Sequence, residues 1–65
     1  MSSSFPTRGE LAPGMTVVIV EKQNQATGVE SVGTIGRILT HDNFHPHGIK
    51  VMLAGGRVGR VKRIA

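Results

Sequence analysis

Apolar and polar residues alternate most cleanly near the carboxyl end of the chain. Ile49, Val51 and Leu53 are interleaved with Lys50, Met52 and Ala54, the two-residue period of a strand with one buried face. Gly55-Gly56 follows, and paired glycines supply the positive φ that a tight hairpin demands. A second strand then starts at Arg57. A two-residue turn sets Ala54 opposite Arg57 and Leu53 opposite Val58. Strict alternation from there sends Arg60 inward beside Val51, and burying an unpaired charge is costly. A one-residue bulge at Gly59-Arg60 removes the conflict: it brings Val61 opposite Val51 and turns Arg60 to solvent. A short 3₁₀ turn is the competing reading, because Val58, Val61 and Ile64 also recur at every third position. Just upstream, His45-Pro46-His47-Gly48 has proline second and glycine fourth. That order suits a type I turn reversing the chain into Ile49.

The amino-terminal half carries the same signals. Residues 15–20, Met-Thr-Val-Val-Ile-Val, are apolar on both faces and predict a strand covered on both sides. Pro13-Gly14 marks a turn before it. Residues 8–12 form a short lead-in of about one helical turn, with Leu11 packing inward. Residues 21–28 are polar and end in glycine, an exposed loop joining two antiparallel strands. Residues 29–31 extend the pairing as a ragged edge, and residues 32–39 are the second main strand. Gly33 and Gly36 inside it imply sharp curvature or close backbone approach. Residues 40–44 are a loop, and Phe44 is expected to close one end of the core. No segment holds a helical period over ten residues. Strands flanked by glycine and proline argue for an all-β domain. At this length the expected form is a small SH3-like five-stranded barrel, with an OB-like barrel as the alternative. Residues 1–8 are expected to be a flexible tail and residues 9–65 a single domain.

Size and composition narrow this further. Sixty-five residues build one small core, with a stability of about 3–5 kcal/mol. The chain has no cysteine, so no disulfide braces it and no thiol serves as nucleophile or ligand. The run at 15–20 is far too short to span a membrane, and the first seven residues lack the pattern of a secretory signal. A cytoplasmic location is expected. Eight Lys plus Arg against four Asp plus Glu give a net charge of +4, which favours a polyanionic partner.

The tail from His45 to Arg60 and Val61, His45-Pro46-x-Gly48-Ile49-Lys50-Val51-x-Leu53-x-x-Gly56-x-Val58-Gly59-Arg60-Val61, resembles the signature of the YwbE-like family of small uncharacterised proteins. So do Pro13-Gly14-x-x-Val17-x-Ile19-Val20-x-Lys22-x-x-Gln25-x-Thr27-Gly28, Gly33-x-Ile35 and Ile38-Leu39-Thr40. The resemblance covers residues 8–64. Asn24 departs from it where an acidic residue is expected, and Met52 where a charged one is usual. It implies a small β-barrel with these boundaries and carries over no catalytic residues. The first half is also similar to the KOW-type barrels of ribosomal and transcription factors, in its order of strand, polar loop, glycine and strand.

The candidate binding residues are Arg37, Lys50, Arg57, Arg60, Lys62 and Arg63. Four of them fall within residues 57–63 and form a positive stripe suited to phosphates. With no Trp or Tyr and two Phe, stacking on single-stranded bases is disfavoured. The reading is a non-enzymatic module that contacts the backbone of structured RNA or duplex through its carboxy-terminal hairpin, with RNA preferred. The alternative is a protein-interaction module that pairs an exposed strand edge at residues 29–32. Catalysis is not expected: the carboxylates are scattered and no base is placed beside a serine. Neither a small-molecule substrate nor a cofactor is expected. His41, Asp42, His45 and His47 match no recognised zinc spacing. His45 is expected to bond within its own turn, with His41 and His47 exposed.

Overall fold

The computed structural model describes residues 5–65. Its strands are β1 (Thr16–Glu21), β2 (Ser31–Ile38), β3 (Lys50–Leu53) and β4 (Val58–Ile64). Each pairs antiparallel with the next, and β4 returns to pair with β1, so the sheet closes into a barrel. The domain is therefore all-β, with four strands where five were expected. Short 3₁₀ turns at Arg8–Glu10 and Lys22–Asn24 complete it, and the described residues contain no α-helix. No helix among them is long and apolar enough to cross a membrane.

The inward positions are the β-branched and leucine side chains that the alternation selected. Val17, Ile19, Ile35, Ile49, Val51, Leu53 and Val61 form the core with Leu11, and Met15 and Ile38 pack against it. Val18 and Val20 lie outside this cluster yet are also buried. Thus β1 is covered on both faces, as its unbroken apolar run predicts. Pro13-Gly14 forms its turn, with the Met15 amide donating to the Ala12 carbonyl at 3.1 Å. Phe44 does not close the core. It is exposed, and Leu11, delivered by the 3₁₀ turn before it, is buried instead.

The hairpin differs from expectation in one residue of turn length. The Leu53 amide donates to the Arg57 carbonyl at 2.7 Å, and the Gly56 amide donates to the Leu53 carbonyl at 2.8 Å. Ala54, Gly55 and Gly56 therefore make a three-residue loop. Only the last glycine is left-handed, with φ +96°, as three-residue hairpins require. This moves the register by one position. Lys50 stands opposite Arg60, Val51 opposite Gly59 and Met52 opposite Val58. Arg60 is turned outward by the loop itself, without the bulge expected at Gly59-Arg60, and Val58 faces out rather than in. The irregularity of β4 lies further on and against β1: Val18 is opposite Arg63 and Ile19 opposite Val61, leaving Lys62 as the extra residue. A second slip, between Ile35 and Arg37, makes Gly36 the extra residue of β2. A Cβ there would lie 3.2 Å from the Ala54 backbone, the close approach that glycine at this position implied.

Part of the expected strand edge is paired on one side: Ser31 and Val32 bond to β1. Residues 31–34 of β2 pair with β1, and Ile35, Arg37 and Ile38 pair with β3. Of the expected tail, residues 1–4 lie outside the described residues. Thr7 and Arg8 are held: the Thr7 amide donates to Glu10 Oε1 at 2.8 Å, the Arg8 amide to the Asn43 carbonyl at 2.7 Å, and Arg8 Nε to the Thr40 carbonyl at 2.9 Å.

Candidate functional site

The six candidate basic residues separate into two groups. Arg57 opposes inward-facing Leu53, so its side chain goes to the end of the barrel and not to the outer face of the hairpin. There Arg57 Nη2 donates to Glu21 Oε1 at 2.5 Å, Arg57 Nε donates to Glu21 Oε2 at 3.1 Å, and Nη2 also reaches Ser31 Oγ at 3.2 Å. Glu21, expected in an exposed loop, is only 6% exposed. The bidentate bond from Arg57 holds its carboxyl below the usual range, against the opposing effect of burial, and a bidentate geometry is the strong form of this pair. Arg63 is likewise taken. Its Nη1 and Nη2 donate to the two oxygens of Glu30 at 2.8 and 2.7 Å, a pair that joins β4 to the approach of β2 across β1.

Among the described residues, Arg37, Lys50, Arg60 and Lys62 have no carboxylate partner. Lys50 and Arg60 are direct cross-strand partners. Arg37 opposes Met52 and so stands diagonal to Lys50 on the same outer face. Arg60 Nη1 donates to the Gly48 carbonyl at 3.3 Å, and Lys62 Nζ donates to the His47 carbonyl at 2.9 Å while lying 4.5 Å over the Phe5 ring centroid. Both cations thus lean on the His45-Gly48 turn. That turn forms as expected: the Gly48 amide donates to the His45 carbonyl at 2.9 Å, and Gly48 has φ +97°.

Two clefts open on this face. One, of about 260 Å³, is lined by Lys22, Gln25, Lys50, Val58, Gly59 and Arg60. The other, of about 410 Å³, is lined by Val20, Gln25, Gly28, His47 and Lys62. Gln25 is common to both, and neither is lined by a carboxylate. Lys22 and Gln25 were absent from the candidate set. They reach the hairpin because Glu21 pairs with Gly59, which sets the 3₁₀ turn at Lys22–Asn24 beside β4. No local pattern announces that pairing between residues 21 and 59.

The histidines do not assemble a metal centre among the described residues, where no three His, Asp or Glu converge. His45 Nδ1 accepts the His47 amide at 3.1 Å, the bond within the turn that was expected. Burial, then the charges of Arg60 and His47, push the His45 imidazole below its usual value. His41 and His47 are exposed.

Comparison with known proteins agrees with the resemblance seen in the sequence. A family model described as "Uncharacterized conserved protein (DUF2196)" matches residues 4–64. The chain belongs to this family. Among curated proteins, it is 51% identical over 57 residues to "Uncharacterized protein YwbE" of Bacillus subtilis strain 168, covering 88% of each chain. No solved structure matches.

Proposed function

We propose that this barrel is a non-enzymatic, cytoplasmic binding module that contacts the phosphate backbone of structured RNA, and less favourably of duplex DNA, through the outer face of β3 and β4. The observation that carries this reading is the distribution of charge. Glu21 and Glu30 are spent on Arg57 and Arg63, and Glu10 accepts from Thr7. Among the described residues six cations have no carboxylate partner, and four of them, Arg37, Lys50, Arg60 and Lys62, stand on one face of three adjacent strands, while Arg8 and Lys22 lie on the 3₁₀ turns. Sequence-independent affinity for nucleic acid arises from such cations through release of counterions. Phe5 lies beneath Lys62 and the sequence holds no Trp or Tyr, a scarcity of stacking rings that favours backbone and shape contacts over base reading. Arg57 and Arg63 leave the contacting set, since each already has an acidic partner. We also read the barrel as SH3-like, supported by its closure from antiparallel strands with slips in register.

Titration of a labelled RNA hairpin and of duplex DNA into the protein, at several salt concentrations, tests the proposal. Binding is expected to weaken with a log–log salt slope of about −3, for some four neutralised phosphates. Absence of binding at low salt, or binding insensitive to salt, overturns it.

A further inference from the structure

The smaller cleft has a composition that folding does not explain. Lys50 and Arg60 face each other directly across β3 and β4, and like charges so placed destabilise a sheet pair. Lys22 adds a third cation to the same cleft. No acidic residue lines it, so the repulsion is not relieved within the fold. Arg60 is nevertheless fixed in position, because one of its nitrogens is bound to the Gly48 carbonyl and its other N–H groups are left for a ligand. Gln25 and Gly59 complete the wall, and Gly59 contributes no side chain to fill the space.

From this arrangement we infer that Lys22, Gln25, Lys50 and Arg60 form a discrete site for one phosphate group. The inference rests on the basic-face reading above and assigns its anchor point. The volume supports a single group: about 260 Å³ is below the range of about 300–1,000 Å³ usual for whole small-molecule ligands. Two lysines and an arginine lining one cleft match the charge and donor demand of a phosphate dianion. The group belongs either to a nucleic-acid backbone or to a free phosphorylated compound.

The test is an amide NMR titration of the full chain with inorganic phosphate, at ionic strength held constant with chloride, followed by a short RNA hairpin. Phosphate is expected to give saturable shifts centred on Lys22, Gln25, Lys50, Gly59 and Arg60. Lys22→Gln, Lys50→Gln and Arg60→Gln are each expected to weaken it about tenfold, the loss of one charge-assisted contact. Arg8→Gln removes the same charge on the amino-terminal turn and is expected to leave it unchanged. If the hairpin displaces phosphate from these residues, the backbone is the source. If phosphate saturates there and the hairpin does not bind, the site stands for a free phosphate compound and the nucleic-acid reading falls. If phosphate shifts are diffuse, or identical in the three cleft variants, the site is refuted even where the hairpin binds.

Discussion

Arg57 is the side chain whose role depends most on its surroundings. Taken alone it is one more positive charge in a basic tail, but beside Glu21 and Ser31 it closes an end of the barrel. Arg57 is itself exposed but its partner is buried, and removing the arginine leaves that buried carboxylate without compensation. Arg57→Gln is therefore expected to lower the unfolding midpoint more than Arg63→Gln, whose partner Glu30 is open to solvent; thermal melts of the two variants compare them directly. The pair also sets the acid side of the stability curve. Glu21 and Glu30 are held below the usual carboxylate range by their arginines. The unfolded chain takes up protons first on acidification, so this stabilisation is complete above about pH 5 and is lost as pH falls through the depressed values. Denaturant titrations from pH 7 to pH 3 are expected to show that fall, with a shallower one in Glu21→Gln. A parallel curve in the variant would rule the pair out as its source. His45 acts in the same direction at higher pH. Its imidazole is also depressed, so protonation of the unfolded chain near pH 6.5 draws stability away as pH falls through that region.

At the level of elements, two turns determine where the cations stand, and their glycines differ in a testable way. Gly56 has φ +96° with open space where a side chain would project. Gly56→Ala therefore meets only the backbone cost of the left-handed region, about 1–2 kcal/mol. Gly48 has φ +97°, and a Cβ there would run into the Val61 carbonyl oxygen. Gly48→Ala adds that collision and is expected to cost more than Gly56→Ala by urea unfolding; equal costs would show that the turn relaxes freely. The loop of three residues has a further consequence. A one-residue change in turn length exchanges the two faces of a strand. Shortening the loop by deleting Gly55 is expected to disrupt the pairing of Lys50 with Arg60, and with it the cleft.

Across the whole molecule the core is small, and each member matters. Ile49 has no exposed surface and sits between the His45-Gly48 turn and β3. Truncating a buried isoleucine to alanine costs about 2–5 kcal/mol, comparable to the stability of about 3–5 kcal/mol that a scaffold of this size holds. Ile49→Ala is expected to be largely unfolded at 25 °C, seen as collapsed amide dispersion, whereas Ile35→Val, at about 0.5–1.5 kcal/mol, remains folded. Closure of the sheet supports the rest: β1 bonds to β2 on one side and to β4 on the other.

Strand positions, the turn at Pro13-Gly14, the His45-Gly48 turn and the inward set Ile49, Val51 and Leu53 were all legible in the residues themselves. These follow from local rules: side chains alternate every two positions, and proline and glycine constrain the backbone where they stand. The basic character of the carboxy-terminal hairpin was equally legible, and Lys50, Arg60 and Lys62 do share its outer face. What tertiary structure alone decided was the company each residue keeps. Glu21 meets Arg57 across 36 positions, and Lys22 reaches the cleft only because β1 closes against β4. Local periodicity assigns a residue to a face but not to a neighbouring strand. That choice is made when the sheet closes, by the joint fit of turns, bulges and packed side chains.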